Sequence, residues 1–368
     1  MDEALLARLV EDAEATHSDA LVLLQRGALV GEWYFGRERG LILTMSCTKS
    51  IVSLVIGTLL DDGTLAGLDQ PICDYYPEWR QGRKRDVTLR QLLNHTSGIQ
   101  NHPNAGLEVE SAPDWVQLAL CAELSDPPGT RWAYNNKAVN LLAGLVQKAS
   151  GKRLDACLEG RLLHPLGIRT HSWAYDTVGN PYAAGGLSLL PTDFARLGQL
   201  VLDHGVWQRQ QLVSAGWIET MLAQGQPFEP RGGLLWFRLP AHERYAVGMD
   251  VVSRMRLAQV PHVLVTALEP LVGTTFASRP DYHRALTSAL GPDWTETMRR
   301  ALGDRGIELA TPTLGEIVGY QTNGYLGQYL VILPQAGIVA VRMVRRTPEY
   351  DPATDGFPSF IDRVQALA

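Results

Sequence analysis

Strand-like runs stand at both ends of this chain, and a long helical stretch separates them. In "ALVLLQRGALVGEWYFG" (residues 20–36) two apolar, β-rich runs flank Arg26 and Gly27, a hairpin pattern. "GQYLVILPQAGIVAVRMV" (residues 327–344) repeats the pattern around Pro334 and Gly337. Each hairpin is backed by a helical pattern. At the start this is "MDEALLARLVEDAEATH", with Leu5, Leu6, Leu9 and Val10 on one side, and at the close it is "FIDRVQALA". The economical arrangement is one antiparallel sheet built from both ends of the chain, with the terminal helices packed on a face.

The middle obeys a different period. From Ser46 to about Leu222 the pattern is mostly helical, broken by Gly and Pro. "VTLRQLLNHTSG" opens with a capping box, Thr88 and Gln91, and Gly98 can end the turn. "NNKAVNLLAGLVQKASG" (135–151) is an amphipathic helix closed by Gly151, and "PTDFARLGQLVLDHG" (191–205) is another, opening on Pro191, Thr192 and Asp193. A chain of 368 residues suggests two joined lobes. The expected fold class is α/β in the α+β sense: an antiparallel sheet flanked by N- and C-terminal helices, with an inserted, mostly helical lobe. Residues 1–57, 227–240 and 319–368 are assigned to the sheet domain and 58–226 to the helical domain. Residues 241–318, with helical pieces such as "WTETMRRALGDRG", are an insertion of uncertain role: a wall over a site, or a structural elaboration.

Several function classes drop out on composition. The formal net charge is −6, and no basic run with interleaved aromatics occurs, so neither nucleic acid nor an anionic membrane is an expected partner. No apolar run approaches the ~20 residues needed to span a bilayer. The N-terminus lacks the order of a signal peptide, and a cytoplasmic location is expected. Cys47, Cys73, Cys121 and Cys157 match no zinc spacing and no CxxC pair, and are read as reduced and mostly buried. Neither a metal nor an organic cofactor is signalled. The expected state is a monomer or homodimer.

The chemistry concentrates in "TMSCTKSIVSLVIG" (44–57). Lys is scarce here, five residues against 28 Arg, yet one stands three residues after a serine where an apolar helix begins. That spacing puts Ser46 and Lys49 on one helix face. Free N–H groups and the positive end of the dipole favour negative charge there, and Ser46 carries its own N–H as one oxyanion donor. Lys49 can act as a base only if burial and nearby positive potential lower its pKa; arginine cannot, since it keeps its proton. The bland alternative makes Ser46 an N-cap and Lys49 a solvated first-turn residue. Cys47 is a nucleophile candidate by proximity, but a small buried thiol suits it better.

Two further stretches can join this pair. In "RWAYNNKAVNLLAG", Tyr134 precedes a helix start and can hold a lowered pKa or relay a proton, while Asn136 can hydrogen-bond Lys49 or a substrate carbonyl. Alternatively, Tyr134 packs on Trp132 and an Asn caps the helix. In "QTNGYLGQYLVILP", Gly324 and Gly327 let an edge strand approach another group closely, and the N–H of Tyr325 can complete an oxyanion hole with that of Ser46; the alternative is a glycine-bearing strand start without chemistry.

In order, "SCTK", "VTLRQLLNHTSGI", "YNN" before a helix ending "ASG", "AGGLSLLPTDFARLGQLVLDHG" and "NGYLGQYLVILPQAGIVAVR" resemble the serine hydrolases of the class C β-lactamase, penicillin-binding protein and esterase superfamily. The nearest branch is that of 6-aminohexanoate-dimer hydrolases and esterases. The resemblance covers most of residues 20–345 outside about 241–318. It implies a β-lactamase/transpeptidase-like fold, with Ser46 as acylated nucleophile, Lys49 as its base and Tyr134 as the second acid–base member. Asn136 would be the supporting amide, and Gly324 the glycine of the third motif, which makes Tyr325 the oxyanion donor. The β-lactamases carry a lysine ahead of that glycine; "QTNG" has no cation, which favours esters or uncharged amides. His95, in "NHTSG", is read as a helix-end residue rather than a triad base. β-Lactamase or D-amino-acid peptidase activity, a Ser-His-Asp hydrolase and a non-catalytic penicillin-binding-like scaffold are the alternatives; the Ser-His-Asp option lacks a GxSxG elbow.

Overall fold

The computed structural model describes residues 1–101, 108–109, 111–257, 259–296, 298, 309–310, 312–348, 350–351 and 354–368. The elements that build the main sheet and position the site are α1 (Glu3–Ala15), β1 (Ala20–Gln25), β2 (Ala28–Trp33), α2 (Cys47–Asp61), α3 (Asn136–Ser150), α4 (Pro191–Leu202), β3 (Phe237–Pro240), β4 (Ile317–Gly324), β5 (Gln328–Leu333), β6 (Ile338–Met343) and α5 (Phe360–Gln365). The strands form one sheet in the order β2-β1-β6-β5-β4-β3, so the first hairpin and the last one meet at β1 and β6. That seam is antiparallel, with Ala20 opposite Met343 and Gln25 opposite Ile338. Its first turn uses Arg26 and Gly27, both at positive φ (50° and 77°), the pairing that a tight two-residue hairpin requires.

Burial explains the strand sequences. Every residue of β6 is buried, as are five of the six in β5, because helices cover both faces. On one face α4 lies so close that a Cβ at Gly198 would meet Leu330 Cδ1 and Val339 Cγ1 at 2.6 Å. On the other, Phe360 of α5 stacks on Tyr329, ring centroids 5.1 Å apart, and Arg363 Nε donates to Asp12 Oδ2 of α1 at 2.6 Å. The terminal helices thus share a face, as their patterns predict. In α1 it is Leu9 and Ala13 that are buried, and Leu5 is 37% exposed, because the helix buries a narrower stripe than its leucines suggest.

α2 is enclosed, with Cys47 through Leu59 all buried. Two indoles are pinned to its backbone: Trp236 Nε1 donates to Ser50 O at 3.1 Å and Trp217 Nε1 to Ser53 O at 3.0 Å. The capping box at Thr88 and Gln91 forms, but its helix is only Leu89–Leu93. His95 (φ 60°) takes the left-handed conformation two residues later, so the helix ends well before Gly98. α3 is capped by Asn135, whose side chain accepts from Ala138 N, and closes at Gly151 with φ 71°.

The chain divides into two packed units. One holds Met1–Phe228, Gly232–Arg238 and Gly319–Ala368, including most of the main sheet and the helices above; the other holds Glu229–Arg231 and Leu239–Val318, with the last two residues of β3 and the first two of β4. The second has its own three-stranded sheet, with Glu243–Ala246 central between Thr275–Phe276 and Pro312–Leu314. Its separate core includes Tyr245, Val252, Met255, Leu268 and Leu286. Residues 299–308, the later part of the helical piece expected at "WTETMRRALGDRG", lie outside the described residues. All four cysteines are free; Cys47 and Cys157 are buried, Cys73 is half-buried and Cys121 is exposed, fewer buried than the composition led one to expect. No helix among the described residues is long and apolar enough to cross a membrane.

Gly57 tests how tightly α2 is held. A Cβ there would stand inside the Trp217 indole, whose Nε1 is already committed to Ser53 O. Gly→Ala in a helix interior gains about 1 kcal/mol of propensity, whereas overpacking a core costs about 1–3 kcal/mol. The clash should win: Gly57→Ala is expected to lower the urea midpoint with an unchanged m-value, and a raised midpoint would contradict this packing.

Candidate active site

The strand-to-helix turn before α2 is fixed by threonines. Thr44 N and Thr44 Oγ1 both donate to Leu187 O at 2.8 Å, Thr48 Oγ1 lies 2.9 Å from Thr44 Oγ1, and Leu187 N donates to Thr48 Oγ1 at 3.2 Å. Met45 turns the chain with φ 51°, a conformation that a non-glycine residue adopts at a cost. Ser46 follows in helical geometry, and its side chain makes no capping bond. Ser46 thus occupies the N-cap position without spending its hydroxyl on a cap, and the hydroxyl is left for another partner.

That partner is Lys49. Its Nζ lies 3.0 Å from Ser46 Oγ and donates to Ala184 O at 2.5 Å. The side chain is 3% exposed, and burial pulls its pKa down to about 7, with Cys47 opposing weakly. A neutral amine suits the place: it can give one N–H to Ala184 O and offer its lone pair to the serine O–H. Ala184 is itself held, since its N–H donates to Asn140 Oδ1 of α3 at 3.1 Å. Neither Ala184 nor Asn140 is apparent as a site residue from spacing, although Asn140 is a polar residue on the buried face of α3.

Tyr134 closes the group. Lys49 Nζ stands 4.8 Å from the centre of its ring, and the Ser46 side chain acts on its phenol in the direction that lowers the pKa. The lowered phenol pKa anticipated from sequence is not found: burial raises it to about 12, only partly offset by Ser46, so Tyr134 is a neutral phenol that can relay a proton. Its ring packs tilted on His95 at 4.6 Å, and Trp132 meets His95 edge-on at 6.1 Å, so Tyr134 and Trp132 are linked through His95 rather than packed on each other as the alternative reading had it. His95 also organises the loop backbone. Its carbonyl accepts from Ala133 N at 2.8 Å and its Nδ1 from Asn135 N at 3.2 Å, while burial and the Lys49 charge hold its pKa near 3.

Of the two partners expected for Asn136, Lys49 and a substrate carbonyl, the first is not seen among its hydrogen bonds. Lys49 is engaged by Ser46 Oγ and Ala184 O instead, and Asn136 Oδ1 is buried without a protein partner. It is Asn135 that caps the helix. The Cys47 thiol is pushed up to about 12 by burial, and donates to Gln328 O at 3.6 Å, the behaviour of a packed thiol rather than a nucleophile.

β4 brings the third stretch alongside. A Cβ on Gly324 would meet Thr44 O at 2.8 Å, Met45 Cβ at 2.9 Å and Ser46 N at 3.0 Å, so only glycine lets the strand come this close. Thr322 on the same strand lies 2.7 Å from Ser50 Oγ, which donates to Leu235 O at 2.5 Å; this polar contact ties β4 to α2 one turn past the serine. Tyr325 does not continue the strand. It opens a short 3₁₀ turn, Tyr325–Gly327, and its side chain is 59% exposed, so any role in the site belongs to its backbone.

A serine, a buried amine and a phenol beside the N-terminus of an enclosed helix can perform covalent acyl transfer. Known proteins similar to this chain include hydrolases. Over 240 residues the chain is 28% identical to the 6-aminohexanoate-dimer hydrolase of Paenarthrobacter ureafaciens, a match covering 60% of this chain and 61% of that one. Over 152 residues it is 33% identical to esterase EstB of Burkholderia gladioli, covering 36% and 38%. The matches thus span less than two thirds of the length of these relatives. Among solved structures, a penicillin binding protein from Bacillus halodurans superposes with a TM-score of 0.64 at 15% identity over 100% of both chains, a likeness of fold. The family model described as Beta-lactamase matches residues 6–359, and the chain belongs to that family.

Proposed function

We propose that this protein is a serine hydrolase that cleaves a carboxylic ester or small amide through an acyl-enzyme on Ser46. The observation that carries the reading is the buried Lys49 amine, 3.0 Å from Ser46 Oγ and held near neutrality. Neutral Lys49 takes the proton as Ser46 Oγ attacks the substrate carbonyl. The oxyanion is met by the N–H groups of Ser46 and Tyr325. The proton passes by way of the Tyr134 phenol to the leaving alcohol or amine as its bond to the acyl carbon breaks. Water then attacks the acyl-enzyme, gives up a proton along the same route, and releases the acid and Ser46. The names of the two relatives, an amide-dimer hydrolase and an esterase, support ester and amide substrates. The cation-free "QTNG" supports uncharged ones over penicillin-like carboxylates.

A fluorophosphonate probe should label Ser46, and Ser46→Ala should lose both the label and turnover across a panel of p-nitrophenyl esters, simple amides and a chromogenic cephalosporin. Labelling at another residue, or full activity in Ser46→Ala, would refute the reading. Preference for the cephalosporin would shift it to the β-lactamase alternative.

The pH profile follows from the base. Lys49 works when neutral, so kcat/KM should rise with pH and level off above about 7. Lys49→Arg should be nearly as inactive as Lys49→Ala, both falling by about 10³-fold or more. A flat profile, or an active arginine variant, would exclude the base role.

The same burial carries a cost in stability. The folded-state pKa of Lys49 lies below its unfolded value, so between about pH 7 and pH 10 the unfolded chain binds more protons and this group's contribution improves as pH rises. Lys49→Met is therefore expected to be inactive yet more stable at pH 7, on the order of 1 kcal/mol. Urea titrations at several pH values should show this margin shrinking toward pH 10; a margin that grows instead would contradict the neutral amine.

A further inference from the structure

Arg342 lies near the C-terminal end of the buried strand β6, opposite Tyr329, and is 0% exposed. A guanidinium has five N–H groups in a fixed fork. Here all five are used, and every acceptor is a neutral oxygen. Nε donates to Ser18 Oγ at 2.8 Å. Nη1 donates to Leu326 O at 3.0 Å and Gly327 O at 2.9 Å. Nη2 donates to Thr16 O at 2.8 Å and to Asp355 O.

Stability alone gives a poor account of this side chain. Burying a cation costs several kcal/mol, and an apolar residue of similar volume usually does as well or better. Burial lowers the pKa of Arg342 to about 10, the mark of a charge that its surroundings do not fully repay. What an apolar residue cannot do is grip two consecutive carbonyls. Those carbonyls belong to the turn that follows Gly324. Leu326 sits there at φ 71°, a left-handed conformation that is strained for a leucine and persists only where its neighbours impose it. Gly327 (φ 77°) has no Cβ, and one would collide with Arg342 Nη1. On the far side, Gly324 is pressed against Ser46 N and the Cys47 thiol reaches Gln328 O. The turn that carries the Tyr325 N–H is thus clamped between the start of α2 and the Arg342 fork.

We propose that Arg342 is the positioning residue of the oxyanion hole: by holding Leu326 O and Gly327 O it fixes the Tyr325–Gly327 turn, and with it the Tyr325 N–H, against the serine. This rests on the acyl-enzyme reading above. Lysine, with a single point of charge and no fork, cannot hold both carbonyls and the three other acceptors at once.

The test is Arg342→Lys in the full-length protein, with wild type measured beside it on a p-nitrophenyl ester and on a fluorophosphonate. Misplacing one oxyanion donor should lower kcat by about 10²-fold and slow phosphonylation of Ser46 to match, because both pass through a tetrahedral anion. KM should stay within about twofold and circular dichroism should be that of wild type, a split that general loosening of the fold would not produce. A folded Arg342→Lys labelled as fast as wild type overturns the inference and leaves the hydrolase reading standing. A wild type that takes no label at Ser46 removes that reading, and this inference with it. If Arg342→Lys does not fold, Ser18→Ala decides, since it removes only the Nε acceptor. It is expected to cut kcat and labelling by about threefold at constant KM, and unchanged values in it overturn the proposal.

Discussion

Enclosure of one primary amine organises the site. Lys49 is out of water because α2 is buried along almost its whole length, and α2 is buried because helices and the central sheet wrap it on every side. Within that enclosure the amine finds one backbone carbonyl, Ala184 O, and one hydroxyl, Ser46 Oγ. A protonated amine would need a third strong partner or a counter-charge, and the nearest ionisable neighbours, Cys47 and Tyr134, are themselves held in their neutral forms by burial. Burial thus brings the amine's pKa down to about 7 while it keeps the thiol and the phenol protonated, so the amine is the member of the group that can exist as a free base near neutral pH.

This arrangement makes the supporting contacts as informative as the reacting ones. Asn140 fixes Ala184, which fixes the amine. The threonines at 44 and 48 fix the turn that presents the serine, and Ser50 with Thr322 fixes the distance between α2 and β4. Each is a side chain whose polar atom is spent on protein rather than on solvent. A polar residue on an otherwise apolar helix face is the trace such contacts leave in a sequence, and Asn140 leaves one.

Much of the scaffold was legible beforehand because local chemistry and global architecture agree. Arg26-Gly27 and Pro334–Gly337 announce tight turns, Asn135 and Gly151 bracket α3, and the two hairpins can bury their apolar runs only against each other. Ser46, Lys49 and Tyr134 were legible because their types are unusual in their settings. What escaped were effects of distance and direction. Tyr134 sits on His95 rather than Trp132 because His95 leaves its helix early in a left-handed turn. Asn135 takes the capping position at the start of α3, and the neighbouring Asn136 Oδ1 is left buried without a protein partner. Arg342 reads in sequence as one arginine among 28, and the fork that gathers oxygens from residues 16, 18, 326, 327 and 355 exists only in three dimensions.

The seam between β1 and β6 joins residues more than three hundred positions apart. Such pairing gives the fold a high contact order, and loop closure must be met before the strand pairing rewards it. During synthesis the first hairpin must therefore wait, with one edge unpaired, until nearly the whole polypeptide has left the ribosome. Its exposure in that interval is an aggregation hazard that chaperones or fast completion must cover. The last strand to arrive also brings Arg342, so the Tyr325–Gly327 turn gains the fork that holds its carbonyls only at the end of synthesis.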